Sequence, residues 1–482
     1  MFIARVFRHK TGLAIACALL TSVMILIKFS DWAYDDPFIT YQYAANLANG
    51  QGFVYNAGER ILSTTTPLFT MLLAGLAWLT GGKIYLPGLA NLIGVLSLGA
   101  GGLFLWKLAE AWKAPLVGWS GLLLYPTFPL LVNTLGSETP LYLVFCLGSL
   151  TCYAYGRTTS SALLAALAAL TRPEGLLIGL VLAGHTLLVK RKPLPWKAVA
   201  FFAIPLLVWV VFAWSYFGSP IPVTLLAKQR QAGMLNAESF ATGLLTILAW
   251  FKQWQYWLEL ALALGGMAYA WVKARPWLLL VSWTLIYFIS YSLLGVSRYF
   301  WYYAPLVPGF VILVGLGLTA LGQLRLVRNV EKWNVSGIVR IVTTTTLAFL
   351  LLTQLYSLQG LAKQTDNRLI IYKQAGEWLN DNTPENISIG CLETGIIGFF
   401  AQRRMVDFAG LLHPDIANSL QNGGTFEMST RYTLERYHPE VVVMQEGLFP
   451  KLDEEYLMTN CRPMMRFHNE TYPYPLVIYN CQ

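Results

Sequence analysis

Long apolar runs separated by short polar loops fill the first three quarters of the chain. A helix needs about 20 apolar residues to cross a bilayer, and about 11 runs approach that length. They lie at 11–29, 84–106, 115–134, 139–156, 159–171, 174–189, 198–217, 254–272, 277–295, 300–321 and 339–358. The pattern predicts a polytopic α-helical membrane protein with about 11 transmembrane helices. The run 159–171 is short, so we expect that helix to be tilted, broken or partly buried among its neighbours.

Basic residues collect in alternate loops, which indicates the orientation of the chain in the membrane. The amino-terminal run 11–29 follows Arg5, Arg8 and Lys10 and has no cleavage site, so we interpret it as a retained first span with a cytoplasmic amino terminus. The later basic positions on the same side are Lys107, Lys113, Arg157, Lys190, Arg191, Lys192, Lys197, Lys273, Arg275, Arg325, Arg328 and Lys332. These residues predict a multi-pass protein of the cell (plasma or inner) membrane.

The first long loop (residues 30–83) contains one more apolar run, Pro67 to Leu79. If this run were a span, every later loop would change sides and the cluster 190–192 would face outward. We therefore predict a juxtamembrane helix in the outer interface. A second short helix is expected earlier in the loop, with Asp36 as N-cap, Pro37 at the first helical position and Gly50 just past its end.

After about residue 359 the chain becomes more polar, with short β-type runs at 387–391, 441–444 and 476–479. We predict a transmembrane domain over 1–358 and a C-terminal extracytoplasmic α/β domain over 359–482. A disulfide between Cys461 and Cys481 is one alternative, with Cys391 left over, and free thiols are the other.

Composition supports lipid as the main solvent. Hydrophobic residues make up 56% of the 482 positions and charged residues 12%, with a mean hydropathy of +0.51, whereas soluble domains carry about 25% charged residues. The net charge of +9 arises from the short loops, so it gives no support to nucleic-acid binding.

The predicted outer loops contain the unusual ionisable residues, and two of these are adjacent. Asp35 and Asp36 follow the first span, where drawing carboxylates into lipid depth is costly and function is the default interpretation. Asp36 has an alternative role as a helix cap, whereas Asp35 has no structural role in the sequence. In the helix that follows, Phe38, Tyr41, Ala45 and Ala48 recur at helical spacing, so we expect it to lie along the membrane surface.

Several motifs in this order resemble the GT-C superfamily of membrane glycosyltransferases. The resemblance is strongest to the branch with mycobacterial arabinofuranosyltransferases, and weaker to protein mannosyltransferases (glycosyltransferase 39-type) and lipid A aminoarabinose transferases. It depends on Asp35-Asp36-Pro37-Phe38-Ile39-Thr40-Tyr41-Gln42-Tyr43-Ala44, Gly50 to Arg60, Ser137-Glu138-Thr139-Pro140-Leu141, Thr171-Arg172-Pro173-Glu174-Gly175, Tyr216 to Pro220 with Ala227-Lys228, Ala375 to Leu379, and Asp407 to Leu411 with Pro414.

The resemblance implies a GT-C fold and a catalytic aspartate in the first outer loop. Its first acid corresponds to Asp35, which would be the general base, with Asp36 and Glu138 as further catalytic acids. Single displacement of a lipid phosphate from an anomeric carbon inverts that centre and needs one base for the acceptor hydroxyl. We therefore expect an inverting transferase that moves a sugar from a polyprenyl-phosphate donor to a cell-envelope glycan, lipid or protein acceptor.

The leaving phosphate requires positive charge in a partly dry site. Arg172, Lys228 and Arg298 are the candidates, with interfacial anchoring as the alternative for each. Glu174, Tyr299 and Tyr302 are candidate substrate-binding residues. Glu174 can instead hold Arg172, and the aromatic residues can instead form an interfacial belt.

No metal-ligand spacing surrounds the histidines, and Arg and Lys can balance a single phosphate. We therefore expect no obligatory cofactor. A divalent cation, Mg or Mn, bridging Asp35 and Glu138 is the alternative. We expect the acid and base groups to converge in one pocket with Asp35 at its centre.

Three other functions compete with this interpretation. A protein O-mannosyltransferase would differ in its acceptor, and a catalytically dead binding protein would not need Asp35. A lipid or sugar transporter predicts internal symmetry and ionisable residues near the bilayer midplane. The sequence shows neither, because its charges gather at one face.

Overall fold

The computed structural model describes residues 2–249, 253–323, 335–363, 367–420, 423–470 and 472–481. Most of the chain up to residue 361 is helical, and the predicted basic residues Arg325, Arg328 and Lys332 lie outside the described ranges. The helices of this part are α1 (Phe2–Phe29), α2 (Asp36–Ala48), α3 (Pro67–Thr80), α4 (Leu86–Ala111), α5 (Pro115–Leu124), α6 (Pro129–Val132), α7 (Thr139–Ala154), α8 (Thr158–Thr171), α9 (Leu176–Gly184), α10 (Trp196–Phe217), α11 (Val223–Ala232), α12 (Leu244–Ala249), α13 (Trp254–Val272), α14 (Leu278–Leu294), α15 (Val307–Gln323) and α16 (Val335–Leu361).

Each apolar run predicted as a span contains helix, but the helices differ in length. Six are long and apolar enough to cross a bilayer within the described ranges: Lys10–Phe29, Lys83–Ala111, Trp196–Phe217, Arg275–Leu294, Phe300–Gln323 and Gly337–Leu361. Four other predicted spans are shorter apolar helices, and α13, at 19 residues, is not among the six. The chain is therefore an integral membrane protein of the predicted polytopic helical class, while its orientation stays a prediction.

Prolines explain where two of the shorter helices end. Helix α5 ends at Leu124 and α6 begins only at Pro129, so the predicted span 115–134 is interrupted. Helix α8 ends at Thr171, and Arg172 takes an extended backbone with φ −150° and ψ 135° because Pro173 follows it. The fifth predicted span is thus short, as expected.

The two helices of the first long loop form where they were expected, and α2 is largely buried in protein. Its residues Phe38, Tyr41 and Tyr43 are buried, and so are the intervening Ile39 and Thr40. Helix α2 packs between α3 and the C-terminal domain, and the prediction that it lies along the membrane surface stays a prediction. The apolar spacing of α2 arises from burial in protein. Burial in lipid would give the same spacing, so the sequence cannot distinguish the two.

One ionisable side chain lies inside the helix bundle, although the sequence suggested that charges gather at one face. Glu259 of α13 is 1% exposed, and its Oε1 accepts a hydrogen bond of 3.2 Å from Nε2 of Gln354 in α16. Oε1 of Gln354 in turn accepts one of 2.8 Å from the Thr127 hydroxyl, in the interruption between α5 and α6. This short polar chain supports the broken helix from within.

The C-terminal domain contains a five-stranded mixed sheet with helices, as predicted. Its order is β2-β1-β3-β5-β4, with β1 parallel to β2 and β3, and with β5 antiparallel to β3 and β4. Cys461 and Cys481 form a disulfide, and Cys391 is free. The elements are α17 (Asn367–Asn382), β1 (Ser388–Cys391), α18 (Thr394–Ala401), β2 (Arg404–Asp407), α19 (Pro414–Ser419), α20 (Phe426–Tyr437), β3 (Val441–Gln445), α21 (Pro450–Leu452), α22 (Met458–Asn460), β4 (Arg462–Asn469) and β5 (Tyr472–Asn480).

The C-terminal domain docks on the first long loop through polar contacts. The Asn56 side chain bonds the backbone of Met405 in both directions, with two distances of 2.9 Å. The Tyr55 hydroxyl donates to the Thr394 carbonyl at 2.7 Å, and Arg404 pairs with Glu59 at 2.7 Å. These contacts fix the loop and the domain at one end of the bundle.

Candidate active site

A buried arginine forms the most extensive polar cluster at this end of the bundle. Arg172 is 4% exposed, and its Nη1 donates to Oε1 of Glu138 at 3.1 Å and to the Thr139 hydroxyl at 3.0 Å. Its Nη2 donates to the Tyr291 hydroxyl at 3.1 Å, and its Nε donates to Oε1 of Glu174. The guanidinium is therefore surrounded by protein acceptors.

Helix termini bring the members of this Arg172 cluster together. Arg172 follows the end of α8, and Glu138 precedes Thr139 and Pro140 at the start of α7. Burial raises the pKa of Glu138, while the Arg172 charge opposes that rise. Glu174 accepts from both Arg172 and Tyr291, so it holds the arginine, which is the simpler alternative weighed for it above.

Lys228 forms a second cluster with fewer acceptors. It lies on α11, its side chain is 7% exposed, and its Nζ is 3.6 Å from Oδ2 of Asp36. The same Nζ lies 3.6 Å from the centre of the Tyr299 ring and 5.7 Å from that of Trp301. Burial opposes the charge of Lys228, but Asp36 and neighbouring tyrosine hydroxyls outweigh it and hold the pKa above its usual range.

Tyr302 connects these two clusters. Its ring lies 5.6 Å from Cζ of Arg172, and its hydroxyl is within electrostatic reach of Lys228, Arg172 and Asp36. The structure therefore brings together Asp36, Glu138, Arg172, Glu174, Lys228, Tyr299 and Tyr302 of the predicted site residues.

Asp35 borders this group and faces the C-terminal domain. Its Oδ2 accepts from the backbone N–H of Gly395 at 3.0 Å, and its Oδ1 accepts from that of Ile396 at 2.8 Å. Burial and the nearby Glu393 carboxylate raise the pKa of Asp35 well above its usual range, against the effect of these two hydrogen bonds. Asp36 is thus the acid beside Lys228, and the expectation that Asp35 occupies the centre of the pocket stays a prediction.

The prediction that Asp36 is the N-cap of α2 is wrong. Helix α2 begins at Asp36, the N-cap position is Asp35, and neither side chain caps that helix. Asp35 instead binds the first N–H groups of α18, some 360 positions later. A cap partner so distant leaves no signal in the local sequence.

Arg298 lies outside the two clusters. Its Nε is 2.6 Å from Oε2 of Glu238, and both side chains are partly exposed, at 32% and 39%. Arg298, whose loop position suggested a phosphate ligand, thus forms a peripheral ion pair with Glu238.

Gln231 is a buried residue near the site that sequence reasoning missed. It is 4% exposed and lies three positions after Lys228 on α11. Its Nε2 donates to the Ala409 carbonyl at 3.1 Å, and its Oε1 accepts from the Tyr299 hydroxyl at 3.2 Å. Helical spacing from Lys228 was the available signal.

The loop that receives Gln231 is held by a buried aspartate. Asp407 accepts from the backbone N–H groups of Ala409, Leu411 and Leu412. Burial raises the pKa of Asp407 to about 7, although these hydrogen bonds oppose the rise. The C-terminal domain therefore reaches Tyr299 through Gln231.

A large cavity opens beside the first long loop. Its volume is about 1660 Å³, and its lining includes Tyr34, Trp32 and Phe400 together with the exposed Lys28, Lys363 and Lys373. The Tyr34 ring stacks on that of Trp301 with centroids 5.3 Å apart, and Tyr34 lies within electrostatic reach of Glu138 and Asp36. The cavity wall therefore borders the residues of the two clusters through Tyr34.

Within the ranges that the structure describes, no three His, Cys, Asp or Glu side chains are grouped closely enough to bind a metal ion. Lys228 and Arg172 provide positive charge next to the acids.

Sequence comparisons match two parts of the chain. A protein family described as "Domain of unknown function (DUF8728)" matches residues 359–477. The terminal β-(1→2)-arabinofuranosyltransferase of Mycobacterium tuberculosis is 28% identical over 292 residues, covering 53% of this chain. The match spans 44% of the length of that relative.

Two solved structures share the fold over nearly the whole chain. ArnT from Cupriavidus metallidurans bound to undecaprenyl phosphate has a TM-score of 0.62 at 15% identity, covering 97% of each chain. The Archaeoglobus fulgidus oligosaccharyltransferase has a TM-score of 0.58 at 14% identity, covering 90% of this chain and 69% of its own. The chain thus has the fold of the GT-C membrane glycosyltransferases, and the resemblance predicted from its motifs is confirmed.

Proposed function

We propose that this chain is an inverting glycosyltransferase that moves a sugar from a polyprenyl-phosphate donor to a hydroxyl of a cell-envelope glycan or lipid. The observation that supports it most is the buried Lys228, whose ammonium lies next to Asp36 and over the face of Tyr299, close to the Trp301 ring that packs on Tyr34 in the wall of a lipid-sized cavity. A buried cation without a carboxylate at hydrogen-bond distance suits the phosphate that leaves in this reaction.

Lys228 is the proposed donor-phosphate ligand. Its ammonium has three donors, and the nearest carboxylate oxygen is 3.6 Å away, beyond normal hydrogen-bond distance. A phosphate oxygen can therefore bind Lys228 while its interaction with the Tyr299 side chain is kept. Arg172 and Arg298 were candidates for the same role, but their guanidinium groups face Glu138, Glu174 and Glu238.

Asp35 is the proposed general base. The acceptor oxygen attacks the anomeric carbon, the bond from that carbon to the phosphate oxygen breaks, and the hydroxyl proton passes to Asp35 while polyprenyl phosphate leaves. A base with a raised pKa takes this proton more readily, and burial raises the pKa of Asp35. Asp36, which faces Lys228, would orient that lysine, and Glu138 would hold Arg172.

The cavity suits a donor carried by a lipid. Its apolar walls can take a prenyl chain, and Lys28, Lys363 and Lys373 at its edge can attract an anionic headgroup. The likeness to an ArnT structure bound to undecaprenyl phosphate supports the same donor class. The active end of the bundle would then face the outside of the cell membrane, where the loops lack the basic clusters.

A protein acceptor is the alternative. The fold is also that of an oligosaccharyltransferase crystallised with a tethered acceptor peptide. The arabinofuranosyltransferase is 28% identical to this chain over 292 residues, whereas the oligosaccharyltransferase is 13% identical. We therefore place a glycan or lipid acceptor first. The C-terminal domain covers the site and would select the acceptor.

The test uses purified full-length protein with polyprenyl-phosphoryl arabinofuranose or polyprenyl-phosphoryl mannose, offered with arabinan oligosaccharides or with peptides. We expect transfer to a glycan, with inverted anomeric configuration by NMR and with activity retained in EDTA. Transfer to peptides alone would favour the alternative, and absence of transfer from every polyprenyl-phosphate donor would contradict the proposal.

Asp35→Asn and Asp36→Asn separate the roles of the two acids. We expect Asp35→Asn to lower kcat by about 10²–10⁴-fold, because a general base contributes about that much. Asp36→Asn should mainly weaken binding of undecaprenyl phosphate, because it releases Lys228. If Asp36→Asn alone abolishes kcat while Asp35→Asn does not, the base is Asp36.

A further inference from the structure

The C-terminal domain contacts the proposed base directly. Helix α18 begins at Thr394, and the N–H groups of its second and third residues bond the two carboxylate oxygens of Asp35 at 3.0 and 2.8 Å. The first N–H groups of a helix have no partner within the helix and attract negative charge. One carboxylate thus satisfies two of them.

We propose that the amino terminus of α18 positions the Asp35 carboxylate for proton transfer, so that the C-terminal domain is a working part of the reaction centre and Gly395 is a positioning residue. This inference rests on the function proposed above. It differs from a domain that only selects the acceptor, because it predicts an effect on the proton-transfer step.

Gly395 is the residue that permits this contact. A Cβ added at Gly395 would overlap the carbonyl oxygen of Asp35 and would lie 2.6 Å from its Oδ2. One of the clashing atoms belongs to the backbone, which cannot change rotamer as the end of a side chain can. Any other residue at 395 must therefore move Asp35 or α18.

A tyrosine tethers the same turn of α18 from the side. The Tyr55 hydroxyl donates to the carbonyl of Thr394 at 2.7 Å, and both residues are buried. Tyr55 belongs to the first long loop, as Asp35 does. The first residue of α18 is thus bound by the loop. The second and third residues of α18 in turn bind Asp35.

The charged groups around Asp35 set the direction of its titration. Glu393 and Asp36 raise its pKa, in addition to burial, while the N–H groups of Ile396 and Gly395 lower it. The Cys391 thiol and the Tyr55 hydroxyl also face it and are neutral at ordinary pH. A weaker contact with α18 should therefore raise the pKa of Asp35, and loss of the Glu393 charge should lower it.

Gly395→Ala tests the proposal, with Gly75→Ala as the matched control. Gly75 lies in α3, is exposed, and has nothing within 4 Å of an added Cβ. With polyprenyl-phosphoryl arabinofuranose as the donor probe, we expect Gly395→Ala to lower kcat by about 10–100-fold, because a small misplacement of a base costs about that much. Binding of undecaprenyl phosphate should not change, since Lys228 lies elsewhere on the site.

The pH profile provides a readout that a merely structural role would not move. The base works when ionised, so kcat falls as pH decreases through the pKa of Asp35. Gly395→Ala should shift this acid limb to higher pH, and Glu393→Gln should shift it to lower pH. Wild-type kcat and pH profile in folded Gly395→Ala would overturn the proposal.

Tyr55→Phe is the second variant, in case Gly395→Ala does not fold. It removes one hydroxyl and should shift the acid limb to higher pH by a smaller amount, with a thermal unfolding transition still present. An unmoved limb in both Tyr55→Phe and Glu393→Gln would overturn the positioning role. An active Asp35→Asn would instead contradict the proposed base, whatever these variants show.

Discussion

Arg172 and Lys228 are both buried cations beside acidic residues, but their surroundings differ. Arg172 meets two carboxylates and two hydroxyls at hydrogen-bond distance. Lys228 has one carboxylate 3.6 Å away and the face of Tyr299. The guanidinium donates to four protein acceptors, whereas the ammonium interacts with the Tyr299 side chain and has no carboxylate at hydrogen-bond distance. This difference is the basis of the proposal that Lys228 binds the donor phosphate while Arg172 supports the site.

Removal of Arg172 should have the largest effect on stability. Arg172→Met leaves Glu138 and Glu174 buried without their cation, and breaking such a pair costs about 3–5 kcal/mol. Thermal and denaturant unfolding in detergent should show this loss. Adding Glu138→Gln and Glu174→Gln should restore part of it, because the uncompensated charges disappear. An unfolding transition unchanged in Arg172→Met would break the comparison.

Removal of Lys228 should affect activity more than stability. We expect Lys228→Met to lower kcat by about 10²–10³-fold, as when one donor to a developing anion is lost. Asp36 is 35% exposed, so it can stay solvated without the lysine. Binding of undecaprenyl phosphate and the unfolding midpoint are the two measurements. Lys107→Met, at a partly exposed lysine paired with Glu110, is the control.

Gln231 should have an intermediate effect through Tyr299. Gln231→Leu leaves the Tyr299 hydroxyl and the Ala409 carbonyl without this partner, at a cost of about 1–3 kcal/mol. The ring that faces Lys228 then loses its anchor. We expect a fall in affinity for undecaprenyl phosphate, which Tyr299→Phe should reproduce in part. Equal affinity in wild type and Gln231→Leu would show that Lys228 needs no such support.

Arg298 should have the smallest effect. Its ion pair with Glu238 is partly exposed, and such pairs contribute about 0–1 kcal/mol. Arg298→Ala should therefore change neither kcat nor the unfolding midpoint beyond that range. A loss as large as that of Lys228→Met would restore Arg298 as a phosphate ligand.

The sequence patterns predicted the secondary-structure elements and the site residues better than they predicted the contacts between those residues. The helical runs, the α/β domain and three strands were predicted. Of the seven ionisable residues predicted for the site, six lie in or beside the two clusters, together with two tyrosines. Strands β2 and β4 were missed, since β2 has four residues and the side chains of β4 are mostly exposed. Short or exposed strands carry little alternation of apolar and polar positions.

The sequence by itself determined the membrane class, the helical runs, the α/β domain and the set of charged residues near helix ends, because hydrophobic burial and helix termination depend on neighbouring residues. Only the tertiary structure decided which charges meet. Asp35 binds N–H groups 360 and 361 positions away, and Arg172 meets Tyr291 across 119 positions. Such pairings depend on how helices and the domain pack, and local sequence carries no record of that packing.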